Sequence, residues 1–200
     1  TVVAVLRISP IPPLRWLGTA YVTVFRNAPL TIVFFFAAFG LPALGSNAEF
    51  LNVPGLNLLF SRLDYDLPYF RFAVFALSLY TGAFVCEALR SGINTVPVGQ
   101  AEAARAIGLS FTQVLRLVVL PQAFRSSVVP LANVLIALIK NTTVAAAIGV
   151  AETALLMKEM IENEAQLLLI SAIIALVFVV LTLPTGLILG WVGKKVAVKR

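Results

Sequence analysis

The sequence predicts an all-α fold: a polytopic bundle of transmembrane helices. Three observations predict it. Apolar residues make up 60% of the 200 and charged residues 12%, against roughly 25% charged in an ordinary soluble domain. Mean hydropathy is +0.98. The apolar residues fall in long runs, and each long run reaches the about 20 residues that a helix needs to cross the hydrocarbon core.

The elements follow in chain order. Residues 1–8 are apolar but only 8 long, about 12 Å of helix, which cannot cross a core of about 30 Å. They read as the end of a longer first helix, and they lack the n-region and cleavage site of a signal peptide. Residues 16–41 form a span interrupted by Arg26-Asn27-Ala28-Pro29. The residue before a proline is pushed out of helical geometry, so a kink is expected there. Residues 69–93, 123–149 and 166–191 form three further spans. The expectation is therefore four full spans plus the end of a truncated first helix. Between them, residues 42–68 hold prolines, glycines and several Asn and read as an irregular outer loop. Residues 151–164 read as a short acidic helix, with Leu155, Leu156 and Ile161 toward the protein and Glu159 and Glu162 toward water. No internal repeat or long linker divides the chain, so residues 1–200 are read as one domain.

The segment from Gln100 to Gln122 breaks this pattern. An Ala-rich helix, roughly 100–107, ends at Gly108, which can take the left-handed conformation that closes a helix. A second helix starts at Ser110, with Gln113 three residues on as in a capping box. It is expected to stop at Pro121, whose ring breaks the backbone ladder. Helix, glycine break and helix between two spans give a small rigid knob on one membrane face. Its alanines let a partner approach closely, and Glu102 and Arg105 offer charges at i and i+3.

Glu102-Ala103-Ala104, then Gly108, then Leu120-Pro121 twelve positions later, resembles the EAA loop of ATP-binding-cassette importer permeases. Phe25 to Leu30 (FRNAPL), Phe39 to Pro42 (FGLP), Thr95 to Gly108 and Ile139 to Glu152 resemble the subfamily for polar amino acid uptake, of the histidine, glutamine and glutamate type. The resemblance covers almost the whole chain. It implies a type I importer permease fold with five spans. It also implies a coupling helix in the loop of about 95–122, carried by Glu102, Ala103, Ala104, Arg105 and Gly108, that docks on a separate ATPase subunit. The implied partners are ATPase subunits that bind ATP and Mg, a second permease chain, identical or related, and an extracytoplasmic amino-acid-binding protein. The implied place is the bacterial cytoplasmic membrane.

Charge fixes the orientation once this loop is set in the cytoplasm. Arg7, Arg15, Arg90, Arg105, Arg116, Arg125, Lys194, Lys195, Lys199 and Arg200 then share its side, ten of the 15 basic residues. The opposite side holds Arg62, Arg71 and Lys158 with seven acids, among them Glu152, Glu159 and Glu162. This is the positive-inside pattern, with a cytoplasmic C-terminus. The net charge of +6 is thus a topological signal. The basic residues flank spans without interleaved exposed aromatics, so nucleic acid is not expected as a partner.

Polar residues in apolar spans are costly and mark candidate functional positions. Arg26 and Asn27 read either as an interfacial break with a snorkelling arginine or as a gate facing the translocation pathway. Glu87 and Arg90, one helical turn apart, are expected to pair. Lys140, Asn141 and Thr142 read as the external end of a span or, by resemblance, as part of the outer pathway. Thr81, with Ser78, Tyr80 and Gly82, gives its span a polar face that glues helices or lines a route. The chain has no His and a single Cys, Cys86. That excludes His catalysis, His metal ligation and an internal disulfide, and no metal-ligand spacing is present. No G-x-x-x-x-G-K-[ST] loop is present either, so any ATP hydrolysis belongs to another chain. The expected function is a permease subunit of an ATP-driven importer for polar amino acids, of glutamate or glutamine type. The alternatives are an ion-gradient-driven secondary transporter, for which Glu87 is the one candidate coupling carboxylate, and a membrane enzyme, for which no catalytic cluster exists.

Overall fold

A computed structural model describes residues 2–8, 11–45, 68–164 and 166–196. The irregular outer loop, apart from its two ends, and the basic tail beyond residue 196 lie outside the described residues. The described residues form helices only. They are α1 (Val2–Ile8), α2 (Pro12–Asn27), α3 (Leu30–Ala43), α4 (Pro68–Asn94), α5 (Val98–Ala106), α6 (Phe111–Ile148), α7 (Thr153–Glu164) and α8 (Leu167–Val196).

Within α4, α6 and α8 lie three stretches long and apolar enough to cross a membrane: Tyr69–Asn94, Phe111–Ile148 and Leu167–Lys195. The helices α2 and α3 make a fourth only if taken together, because they meet at an angle of 110°. The expected kink is thus a sharp break. Pro29 stands at its corner in extended geometry, φ −61° and ψ 131°, and its position starts α3.

Pro121 does not end a helix, contrary to the reading of the knob. The second helix of the knob, Phe111–Val114, passes through a π-helical turn, Leu115–Val119, and continues as Leu120–Asn141 through Pro121. Proline has no N–H and its ring crowds the carbonyl four residues back; the wider turn ahead of it makes room. The same device stands in α3, where the π turn Phe36–Gly40 precedes Leu41-Pro42. Pro130 and Pro184 are likewise carried inside helices, as lipid-embedded helices tolerate. Beyond Asn141, α6 tightens into a 3₁₀ segment, Thr142–Ile148, closed by Gly149 at φ 79°.

Two compact units divide the described fold, one formed by residues 1–24, 83–137 and 182–200 and the other by 25–82 and 138–181. In the second unit, Phe34, Ala37 and Ala38 of α3 pack with Phe72, Ala73 and Ala76 of α4 and with Ala145, Ile148 and Val150. Phe34 is fully buried. Five alanines in that cluster let backbones approach closely, as helix packing in lipid requires.

In the first unit the same principle uses glycine and serine. A Cβ on Gly92 would fall 1.9 Å from Ser127 Oγ and 2.5 Å from the Ala123 carbonyl oxygen, so α4 and α6 touch there backbone to backbone. Ser127 is buried and donates to the Ala123 carbonyl at 2.8 Å. Gly193 of α8 meets Val129 of α6, and Gly186 meets Ile136, a matched seven-residue step along both helices. Gly18 of α2 lies beneath the Arg7 stem, where a Cβ would come within 2.8 Å of Arg7 Cγ. From there the Arg7 guanidinium reaches the Glu87 carboxylate of α4 in a largely buried ion pair. Glu87 therefore pairs with Arg7 and not with Arg90 as expected. Arg90 is exposed, while Glu87 lies on the face that α1 covers. Cys86 beside it is buried, with its thiol against the Arg7 guanidinium and close to Tyr21.

In Gly92→Ala, the methyl group meets a backbone oxygen that cannot rotate away. A loss of about 2 kcal/mol in stability is expected, in the range of overpacked cores. Unfolding of the detergent-solubilised protein measures it, and Ser127→Gly added to this variant should not restore stability. Removing one member of the Arg7–Glu87 pair leaves a poorly solvated charge. Glu87→Gln is expected to destabilise by on the order of 2 kcal/mol, and Arg7→Gln with Glu87→Gln by less than either single change. A cycle in which the two losses simply add would argue against direct pairing.

Candidate functional site

The knob is built by local rules. Pro97 sits at the start of α5 with extended geometry, φ −61° and ψ 132°, and its missing N–H costs nothing in a first turn. At the other end, the Gly108 N–H donates to the Arg105 carbonyl at 3.0 Å and the Leu109 N–H to the Ala104 carbonyl at 3.2 Å. These two bonds form a Schellman closure. They require the left-handed geometry that Gly108 adopts, φ 91°. A Cβ there would meet no atom within 4 Å, so glycine is demanded by the backbone and not by space. Two residues later Ser110 caps α6. Its hydroxyl accepts from the Gln113 N–H at 3.4 Å, and the Gln113 side chain accepts from the Ser110 N–H at 2.8 Å. The capping box expected from the sequence is present.

The structure sorts the five coupling candidates. Glu102, Ala103 and Arg105 are exposed, as is Gly108. Among the described residues neither Glu102 nor Arg105 has an ion-pair partner, so both charges are open to a second molecule. Ala104 is buried. It faces its own chain rather than the surface of α5. Ile107 and Phe111, which the sequence reading did not single out, are large apolar residues at 80% and 68% exposure on either side of Gly108. Their signal was present: apolar residues flanking a helix closure have no core on either side to enter.

The pathway candidates are more scattered. Arg26 and Asn27 lie exposed at the end of α2, just before the 110° break. Thr81 lies within α4, and its buried hydroxyl has no hydrogen-bond partner. Lys140, exposed, and Asn141 end the α-helical part of α6, and Thr142 opens its 3₁₀ turn. The Thr142 hydroxyl donates to the Ile139 carbonyl at 2.7 Å and that of Thr143 to the Lys140 carbonyl at 2.8 Å. These bonds stabilise the change from α to 3₁₀ geometry. Thr81, Lys140, Asn141 and Thr142 make no hydrogen bonds to one another. Glu87, the candidate coupling carboxylate, is ion-paired with Arg7.

The short acidic helix is α7. The Glu152 carboxylate accepts from the Ala154 and Leu155 N–H groups at 2.8 and 3.1 Å, which caps the helix and suits its positive end. Glu159 and Glu162 face out as expected, but so does Leu156, at 52% exposure. No group of three or more His, Cys, Asp or Glu among the described residues is placed to hold a metal.

The chain matches, over residues 3–198, the family described as the binding-protein-dependent transport system inner membrane component. It is 49% identical over 202 aligned positions to the glutamate transport system permease protein GluC of Corynebacterium efficiens, covering all of this chain and 85% of that protein. It is 36% identical to the probable glutamine ABC transporter permease protein GlnM of Bacillus subtilis, covering 96% of this chain and 81% of that one. Among solved structures, an amino acid ABC transporter crystallised with histidines superposes with a TM-score of 0.82 at 26% identity, over 96% of this chain and 81% of that one. A match across nearly the whole length, described residues that are helical and superpose on that transporter, and a knob between two spans agree: this chain belongs to the inner-membrane permease family of binding-protein-dependent ATP-binding-cassette importers, and it is a transport subunit and not an enzyme.

Proposed function

We propose that this chain forms the translocation pathway of an ATP-driven importer for polar amino acids of the glutamate or glutamine type, together with a second permease chain. The observation that carries the reading is the knob. α5 ends in a Schellman closure at Gly108, and Glu102, Ala103 and Arg105 are exposed upon it. A separate ATPase subunit, which binds ATP and Mg, receives this knob in a groove. Ile107 and Phe111 supply apolar contact there, while Glu102 and Arg105 supply charge. An extracytoplasmic amino-acid-binding protein delivers the substrate to the opposite face. The substrate class rests on the names of the relatives, both of which refer to glutamate or glutamine. The exposed apolar surface of α8 suits lipid or the second permease chain.

Orientation follows the charges. The knob and the end of α8, where Lys195 Nζ stands 3.8 Å from the centre of the Trp191 ring, are assigned to the cytoplasm. The acidic helix α7 is assigned to the outside. Trp and Lys together at a helix end suit the membrane interface.

Two outcomes check these assignments. Single cysteines at Lys195 and Glu162, each in a Cys86→Ala background, should label oppositely with an impermeant thiol reagent in intact cells, Glu162→Cys reacting and Lys195→Cys protected. Equal labelling defeats the orientation. Gly108→Val places a β-branched residue in left-handed geometry at a cost of about 1 kcal/mol or more, with no change to the apolar surface of any span. The protein should reach normal levels in the membrane yet lose transport, its ATPase partner either released or hydrolysing ATP without response to substrate. Wild-type transport and stimulation at equal expression would sink the coupling assignment.

A further inference from the structure

The knob is joined to the long helix by a contact that the coupling motif does not contain. The Gln122 side-chain amide donates to the Gln100 side-chain oxygen at 2.7 Å, across 22 residues of sequence. The same Nε2 donates to the Val118 carbonyl at 3.0 Å. Val118 lies in the π turn Leu115–Val119. Both hydrogens of the Gln122 amide are thus committed, one to the π turn and one to α5. This fixes the direction of the contact, because only a nitrogen can donate to two oxygens. Among the described residues it is the one side-chain hydrogen bond between α5 and α6.

Its position gives it mechanical meaning. α5 is also joined to α6 by the short connection through Leu109, and Ala104 of α5 and Val114 of α6 are both buried. The Gln100–Gln122 hydrogen bond, exposed at the surface, adds a directional alignment to that packing. The π turn is the one departure from α geometry between the knob and the body of α6. A force on α5 would be absorbed there unless the turn were braced, and Gln122 ties the turn at Val118 to α5 at Gln100.

We propose that Gln100 and Gln122 form a latch that positions α5 against the π turn and passes movement of the docked knob into α6. The inference rests on the coupling function proposed above. The latch is a positioning device, distinct from the surface that binds the ATPase. Its donor–acceptor direction predicts an asymmetry between two chemically equal changes. Gln100→Glu keeps an oxygen that accepts from Gln122. Gln122→Glu removes the donor, sets a carboxylate against the Gln100 oxygen and removes the side-chain bond to the Val118 carbonyl.

The test uses the complete transport complex, reconstituted in liposomes with its ATPase and binding protein. It reads glutamate and glutamine molecules moved per ATP hydrolysed. Gln122→Glu, Gln122→Leu and Gln100→Leu should each lower that ratio roughly fivefold, the equilibrium equivalent of one net hydrogen bond, with the ATPase still co-purifying. Gln100→Glu should retain the wild-type ratio, and Gln100→Leu with Gln122→Leu should be no worse than either alone. Gln100 is exposed, so its variants keep the test decisive even if a Gln122 variant folds poorly. A wild-type ratio in Gln100→Leu or Gln122→Glu overturns the latch alone. Equal loss in Gln100→Glu and Gln122→Glu also overturns it, and loss of the ATPase from the Gln122 variants would assign that residue to docking instead. If no ATPase co-purifies with the unsubstituted chain, the coupling function falls and the latch with it.

Discussion

A chain that crosses lipid must satisfy its own backbone, and every departure from α geometry here is governed by that constraint. The departures are few and each has a chemical cause. Pro29 turns the chain at the junction of α2 and α3. Two π turns stand directly ahead of Leu41-Pro42 and Leu120-Pro121. The 3₁₀ end of α6 is stabilised by the hydroxyls of Thr142 and Thr143, which return to carbonyls one turn back. Schellman closures at Gly108 and Gly149 use the same pair of backbone bonds. The irregular points are thus places where a hydroxyl, an imino acid or a glycine takes over what the helical ladder no longer provides.

Helix contact follows from the same solvent. Lipid offers no hydrophobic reward for burying leucine, so contacts depend on close backbone approach. Alanine does this around Phe34, glycine does it at Gly92, Gly186 and Gly193, and the large side chains of α8 are left facing outward. Where a charge enters such packing it is matched, as Glu87 is by Arg7. Gly18 makes that match possible by giving the Arg7 stem a place to lie.

Much of this was legible in the residues. The spans could be read from apolar runs, the break from Arg26 to Pro29, the left-handed glycine from its place after an Ala-rich helix, and the capping box from Ser110 and Gln113. All of these are local rules. What the sequence did not disclose were choices among equivalent local options. Proline was read as a stop at Pro121 because the rule concerns an isolated α ladder, and it says nothing of a π turn upstream. Glu87 was assigned to Arg90 because i and i+3 neighbours are visible in a sequence, whereas Arg7, 80 residues away, is a fact of packing. The EAA motif also gave no hint that Ala104 turns inward while Ala103 beside it stays out. That depends on which face of a nine-residue helix meets the rest of the chain.

The continuity of α6 through Pro121 has a consequence for how such proteins are cut and rejoined. The apolar stretch that contains the second half of the knob is 38 residues long, about 57 Å of helix, far more than a bilayer core requires. The natural seam of the loop is therefore not Leu120-Pro121, where the motif ends, but Gly108, where the backbone changes hand. A chimera that exchanges the loop between two permeases at the proline would splice one helix onto another in mid-turn. One joined at Gly108 would leave the rod beneath it whole and would part Gln100 from its native Gln122.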